Sequence, residues 1–144
     1  MKFRTSSEEE TIALGRQLAA SLRPPAVVLL IGNLGAGKTT LAKGIVEGLG
    51  SAEPDEVTSP TFTLIHEYGP GVYHIDLYRL DTAAEVRTLG LDDLFGQDAV
   101  VLIEWGERFP ELMPAERVEI TITSVGDDAR EIQVNYAADQ RANT

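Results

Sequence analysis

Gly32-Asn33-Leu34-Gly35-Ala36-Gly37-Lys38-Thr39 satisfies G-x-x-x-x-G-K-[ST] at every constrained position. Its glycines open backbone dihedrals closed to other residues. Successive N–H groups can then turn inward and line a concave anion site ahead of a helix N-terminus. Lys38 is placed to reach the β- and γ-phosphates of a nucleoside triphosphate. Thr39 offers a hydroxyl where Mg²⁺ must sit to bridge the same two phosphates. Asn33, Leu34, Gly35, Ala36, Gly37, Lys38, Thr39 and Thr40 therefore form the candidate nucleotide-binding set. This composition yields about 0.003 such matches by chance.

An acid must face that loop if a metal is to be held. Glu104 ends the apolar run Ala99-Val100-Val101-Leu102-Ile103, the Walker-B arrangement in which a carboxylate at a strand's C-terminal edge reaches Mg²⁺ or its bound water. Asp76 is the second candidate. His74, Asp76 and Tyr78 alternate along one face of residues 72–78, and by pattern alone such a face belongs in solvent. Asp76 departs from that reading because it ends an apolar-flanked strand in a nucleotide-binding chain. Glu104 fits better than Asp76, because its run is apolar on both faces and so belongs beside the strand that feeds the loop. Trp105, the single tryptophan, follows at the ligand edge, with packing and ligand contact equally open to it.

The flanking elements follow from periodicity. Residues 26–31, Ala-Val-Val-Leu-Leu-Ile, read as a central parallel strand ending at the loop, and Leu41, Ile45 and Leu49 give the next helix its apolar face, stopped by Gly48 and Gly50. Upstream, Ser7 and Glu10 have capping-box spacing and Leu14, Leu18 and Leu22 recur every four residues, so 7–22 reads as a helix ended by Pro24-Pro25. Thr11 lies on it, read from pattern as solvent-facing although an element in this place can cover an adenine. Residues 51–56 read as a surface loop. The hydroxyl cluster at 57–63 stands where switch loops approach a γ-phosphate. Residues 61–68 and 72–78 around Gly69-Pro70-Gly71 read as a hairpin. A short capped helix spans 82–90, a further helical turn 91–96, and 117–123 with 131–136 form a second hairpin. Arg130 beside its turn reads as a surface arginine that can also reach phosphate or base. The D-x-x-G match at 93–96 follows no strand and is set aside, and the tail 137–144 reads as frayed.

Length and composition limit the rest. A chain of 144 residues supports one domain, too small for a nucleotide domain plus a full substrate domain. Without cysteine there are no disulfides, thiolate metal sites or thiol nucleophiles. No run approaches a membrane span and no signal-peptide pattern opens the chain, so the expected location is the cytoplasm. A net charge of −11 argues against autonomous binding to nucleic acid.

Together, the loop at 32–40, Ser59-Pro60-Thr61-Phe62, His74-Ile75-Asp76-Leu77-Tyr78-Arg79-Leu80 and Ile103-Glu104-Trp105 resemble the TsaE (YjeE) family, over most of the chain. The resemblance implies a bacterial ATPase needed to form N6-threonylcarbamoyladenosine in tRNA. It implies TsaD and TsaB as protein partners, with tRNA met only through their complex. It puts ATP on Gly35 to Thr39, Mg²⁺ on Thr39 and Glu104, and a catalytic or metal-supporting role on Asp76. Thr11 and the turn carrying Asp128, Ala129 and Arg130 become nucleotide-proximal. Asn33 departs from the family, which usually has Asp there.

The expected fold is a three-layer α/β P-loop domain with a mostly parallel core sheet and antiparallel hairpins at its margin. The expected chemistry is ATP hydrolysis: Lys38, the loop and Mg²⁺ stabilise the transferring phosphoryl group, and Asp76 or Glu104 positions the water. Two other functions fit a P-loop, a small-metabolite kinase and a nucleotide-dependent binding switch. A kinase needs an acceptor pocket and an arginine-bearing lid. A guanine switch needs N-K-x-D, which is absent.

Overall fold

The computed structural model describes residues 1–33, 35–50 and 64–136. Leu34, the loop expected at 51–56, the hydroxyl cluster at 57–63 and the tail at 137–144 lie outside the described residues.

Among the described residues, seven strands form one sheet: β1 (Lys2–Thr5), β2 (Ala26–Ile31), β3 (Ile65–Glu67), β4 (Val72–Asp76), β5 (Val100–Glu104), β6 (Val118–Ser124) and β7 (Arg130–Tyr136). Their order is β1-β7-β6-β2-β5-β4-β3. The central four, β6-β2-β5-β4, are mutually parallel, and β7, β1 and β3 add antiparallel pairings at the margins. The helices are α1 (Glu8–Ala19), α2 (Lys38–Gly48), α3 (Ala83–Arg87) and α4 (Leu91–Phe95).

Alternation along β2 and β5 splits the core into two layers. Val28, Leu30, Val100 and Leu102 pack beneath α1 and α2, against Leu14, Leu18, Leu41 and Ile45. Val27, Leu29, Val101 and Ile103 face Val86, Leu91, Phe109 and Met113 on the other side. Strands buried on both faces read as unbroken apolar runs, which is why 26–31 and the run before Glu104 belong at the sheet centre. The result is the expected three-layer α/β arrangement.

Helix α1 begins as its sequence predicts, with the Ser7 hydroxyl accepting from Glu10 N at 3.1 Å. The Glu10 carboxylate returns to Ser6 N at 2.7 Å, one residue ahead of the usual capping-box partner. The helix stops at Ala19 rather than residue 22, because Ser21 and Leu22 switch to i→i−3 bonds onto Leu18 and Ala19. Leu22 nevertheless keeps its place in the core.

Helix α1 lies so close on α2 that a Cβ at Gly44 would stand 2.0 Å from the Ile12 carbonyl oxygen. Only glycine allows that approach. Strand β1 went unread, since four residues alternating Lys, Phe, Arg, Thr carry little signal. It pairs antiparallel with β7 from Lys2↔Gln133 to Thr5↔Arg130.

Candidate nucleotide site

The loop leaves β2 at Ile31 and enters α2 at Lys38. Gly37 sits at φ 108°, a conformation that a side chain would strain, and Ala36 N closes a turn onto Asn33 O at 3.0 Å. The first N–H groups of α2 have no intrahelical partner, and with the helix dipole they favour an anion at this end. Asn33 and Gly35 are exposed, Ala36 is buried, and Thr39 and Thr40 are half-buried on the first turn.

Lys38 is buried, a rare state for a lysine. Its Nζ donates to Gly32 O at 2.8 Å and stands 3.6 Å from the centroid of the Trp105 ring. Burial lowers its pKa, while the negative charges of Glu104, Glu107 and Asp76 act to raise it. Trp105 reaches the lysine because it takes a left-handed conformation at φ 69°, turning the chain sharply after Glu104. That conformation costs a non-glycine residue on the order of 1 kcal/mol. Tyr78 packs on the same ring at 5.1 Å between centroids.

Parallel pairing sets the acids. Leu30 and Asp76 both stand opposite Glu104, so the loop, Glu104 and Asp76 share one end of the sheet. Glu104 Oε2 accepts from Thr39 Oγ1 at 3.5 Å and from His74 Nε2 at 2.6 Å. Asp76 Oδ1 accepts from Tyr78 N at 2.8 Å, which fixes the turn after β4. His74 and Asp76 are both buried, which corrects the solvent-facing reading for His74, while Tyr78, the third residue of that face, is 44% exposed as that reading has it.

The donors fit Mg²⁺. Thr39 and Glu104 supply one hydroxyl and one carboxylate, both hard oxygens. Mg²⁺ takes oxygens of this kind, and the two lie 3.5 Å apart at the start of α2.

On the outer side of the loop, Thr11 and Arg130 line a cavity of about 60 Å³ with Glu8, Gly37, Thr40 and Asp128. Thr11 is buried rather than solvent-facing, held by Thr5 Oγ1 at 2.7 Å and by Ser7 O, to which it donates at 3.2 Å. Arg130 is likewise no free surface arginine. Its Nε donates to Ala36 O at 2.7 Å, and the same atom would lie 3.3 Å from a Cβ at Gly37. Ala129 is half-buried and closes the β6–β7 turn by accepting from Val125 N, without itself lining this cavity.

Two residues were missed by sequence reasoning. The alternating pattern groups His74 with a solvent face, although a histidine between Tyr73 and Ile75 is a usable signal of burial. Glu107, in a short 3₁₀ turn at Gly106–Arg108, carried none. Burial raises its carboxyl pKa, partly offset by a backbone hydrogen bond and then by Lys38 and Arg108. Glu107 Oε1 and His74 Nδ1 are buried with no hydrogen-bond partner among the described residues.

The chain is similar to known proteins over most of its length. The family profile described as threonylcarbamoyl adenosine biosynthesis protein TsaE matches residues 5–132. The tRNA threonylcarbamoyladenosine biosynthesis protein TsaE of Bacillus subtilis is 47% identical over 135 residues, covering 92% of this chain and 83% of that one. Its counterpart from Treponema pallidum is 38% identical over 136 residues, covering 93% and 99%. The crystal structure of Bacillus subtilis YdiB superposes with a TM-score of 0.79 at 40% identity, over 99% of this chain and 89% of that one. With a matching profile over nearly the whole fold and relatives this similar along most of their length, the chain belongs to the TsaE family.

Proposed function

We propose that the protein binds Mg²⁺-ATP and hydrolyses it as a component of the machinery that forms N6-threonylcarbamoyladenosine in tRNA, acting on a TsaB–TsaD complex. The observation that carries this reading is the convergence at one sheet end of Lys38, Thr39 and Glu104, from a glycine-rich loop and the neighbouring parallel strand. The relatives' names supply the pathway. The cytoplasm is the location this function requires, and no helix among the described residues is long and apolar enough to cross a membrane.

Each part of the chain has a task. The loop N–H groups and Lys38 hold the phosphates and stabilise charge on the transferring phosphoryl group. Thr39 and Glu104 would hold Mg²⁺, which supplies charge neutralisation between the β- and γ-phosphates. Asp76 or Glu104, paired at the same sheet end, orients the attacking water. Thr11, Ala129 and Arg130 flank the nucleotide from the loop's outer side. The acidic surface leaves tRNA to the partners.

The test is phosphate release from Mg-ATP by the protein alone and with TsaB and TsaD, wild type beside Glu104→Ala. Release that rises on assembly and disappears in the variant supports the reading. ATP binding without release in the full assembly refutes hydrolysis and leaves a binding switch. Phosphate found on an acceptor molecule makes the protein a kinase.

A further inference from the structure

His74 is fully buried on the sheet face beneath α1 and α2, where the neighbouring core positions are Val72, Val100 and Leu102. An imidazole in that company is costly, and its Nδ1 has no hydrogen-bond partner among the described residues. An aliphatic side chain would suit the packing better. Among the described residues, the ring's one hydrogen bond runs between Nε2 and Glu104 Oε2 at 2.6 Å. A carboxylate oxygen accepts, so Nε2 carries the hydrogen and donates.

Glu104 needs such a partner. Among the described residues its other hydrogen bond is from Thr39 Oγ1 at 3.5 Å, the outer limit of such a bond and too weak to choose one rotamer, and the nearby Lys38 is a point charge without directional preference. A glutamate has three side-chain torsions, and packing alone does not orient its terminal carboxylate. A bond nearly 1 Å shorter does, and it comes from a ring locked between strands: β4 and β5 are paired in parallel, with His74 opposite Leu102 and Asp76 opposite Glu104.

We propose that His74 is a positioning residue, whose Nε2–H fixes the Glu104 carboxylate so that its remaining lone pairs face Thr39 and the divalent cation of the nucleotide site. The inference rests on the nucleotide-site reading given above. It assigns His74 no contact with nucleotide and no proton transfer. Groups that orient a metal-binding side chain in this way typically change metal affinity by about 10–100-fold when removed.

The experiment compares wild type, His74→Leu, His74→Asn and His74→Gln by calorimetric titration with ADP, once with Mg²⁺ and once in EDTA, with a thermal melt for each. Leu removes the donor and keeps an apolar volume. Asn keeps a polar group but falls short of Glu104, whereas the Gln amide reaches near the position of Nε2. In EDTA all four should bind ADP alike. With Mg²⁺, the Leu and Asn variants should lose about tenfold of the metal-dependent gain and Gln should recover most of it. If Leu fails to fold, the contrast between Asn and Gln carries the same information. The proposal is overturned if Leu or Asn keeps the wild-type metal-dependent gain, or if Gln fails as badly as Asn. A wild type that binds no ADP overturns the nucleotide-site reading itself. A wild type that binds ADP with no help from Mg²⁺ overturns the metal role of Glu104 and, with it, that of His74.

Discussion

Replacing Gly44 by alanine sets two well-known effects against each other. Alanine is the better helix former by about 1 kcal/mol, so propensity alone predicts a more stable protein. The crossing of α1 on α2 predicts the reverse. The added Cβ would lie 2.0 Å from Ile12 O, 2.8 Å from Ile12 C and 3.0 Å from Gly15 Cα, all backbone atoms that cannot rotate away. The helices must part by on the order of 1 Å, and overpacking of that kind costs about 3 kcal/mol. The net expectation is a loss of about 2 kcal/mol. Urea denaturation followed by the emission of Trp105, the single tryptophan, measures it directly. Gly96→Ala is the control, since its Cβ meets nothing closer than 3.7 Å. It should stay within about 0.5 kcal/mol of wild type. A Gly44→Ala protein as stable as wild type would refute the close-approach reasoning. The variant should also bind ADP less tightly, because α1 carries Thr11 to the cavity beside the loop.

Arg130→Ala removes the 2.7 Å bond onto Ala36 O that braces the loop. A half-exposed charged bond of this kind is worth about 1 kcal/mol, so ADP affinity should fall about fivefold by calorimetry. Unchanged affinity would remove Arg130 from the site. Glu107→Gln should alter the pH dependence of stability. The folded state raises the Glu107 pKa, so over the range above an ordinary glutamate value the native protein binds more protons than the unfolded chain, and stability falls as pH rises. Thermal melts of the Gln variant should show a smaller loss as the pH rises above about 4, and parallel curves would contradict the burial account. Finally, Lys38 Nζ lies 3.6 Å from the Trp105 ring centroid, and drawing it onto phosphates should change that ring's emission. ATP should shift the fluorescence of wild type and leave Lys38→Met unaltered; an equal shift in both would detach the signal from the lysine.

What could be read from the sequence divides by the kind of signal each residue carries. Unbroken apolar runs placed β2 and β5 side by side, because only central parallel strands are buried on both faces. The loop was legible because its chemistry demands particular residue types at fixed spacing. Thr11 and His74 run against the rule that isolated polar residues face water. Each is met by a side chain from another strand, Thr5 of β1 for Thr11 and Glu104 of β5 for His74, whereas Arg130 stays at the surface and is tied to the loop by its bond onto Ala36 O. Such coverage is a property of strand order, which a local pattern does not contain. Glu107 shows the limit most clearly, since its charge environment depends on Lys38, which lies far away in the chain.

Register connects the two kinds of information. Side chains alternate along β5, so Leu102 and Glu104 share the face beneath α2 while Val101 and Ile103 take the other. A one-residue slip against β2 would carry Glu104 away from Thr39, and would at the same time expose Leu102 to the wrong layer. The apolar residues that prevent the slip are therefore the ones that hold the acid at the metal side of the loop. Trp105 completes the geometry by its left-handed turn, which ends the strand and brings the indole back over Lys38. The ring also packs against the layer that holds Ile103, so one side chain ties the lysine of the loop to the second core layer.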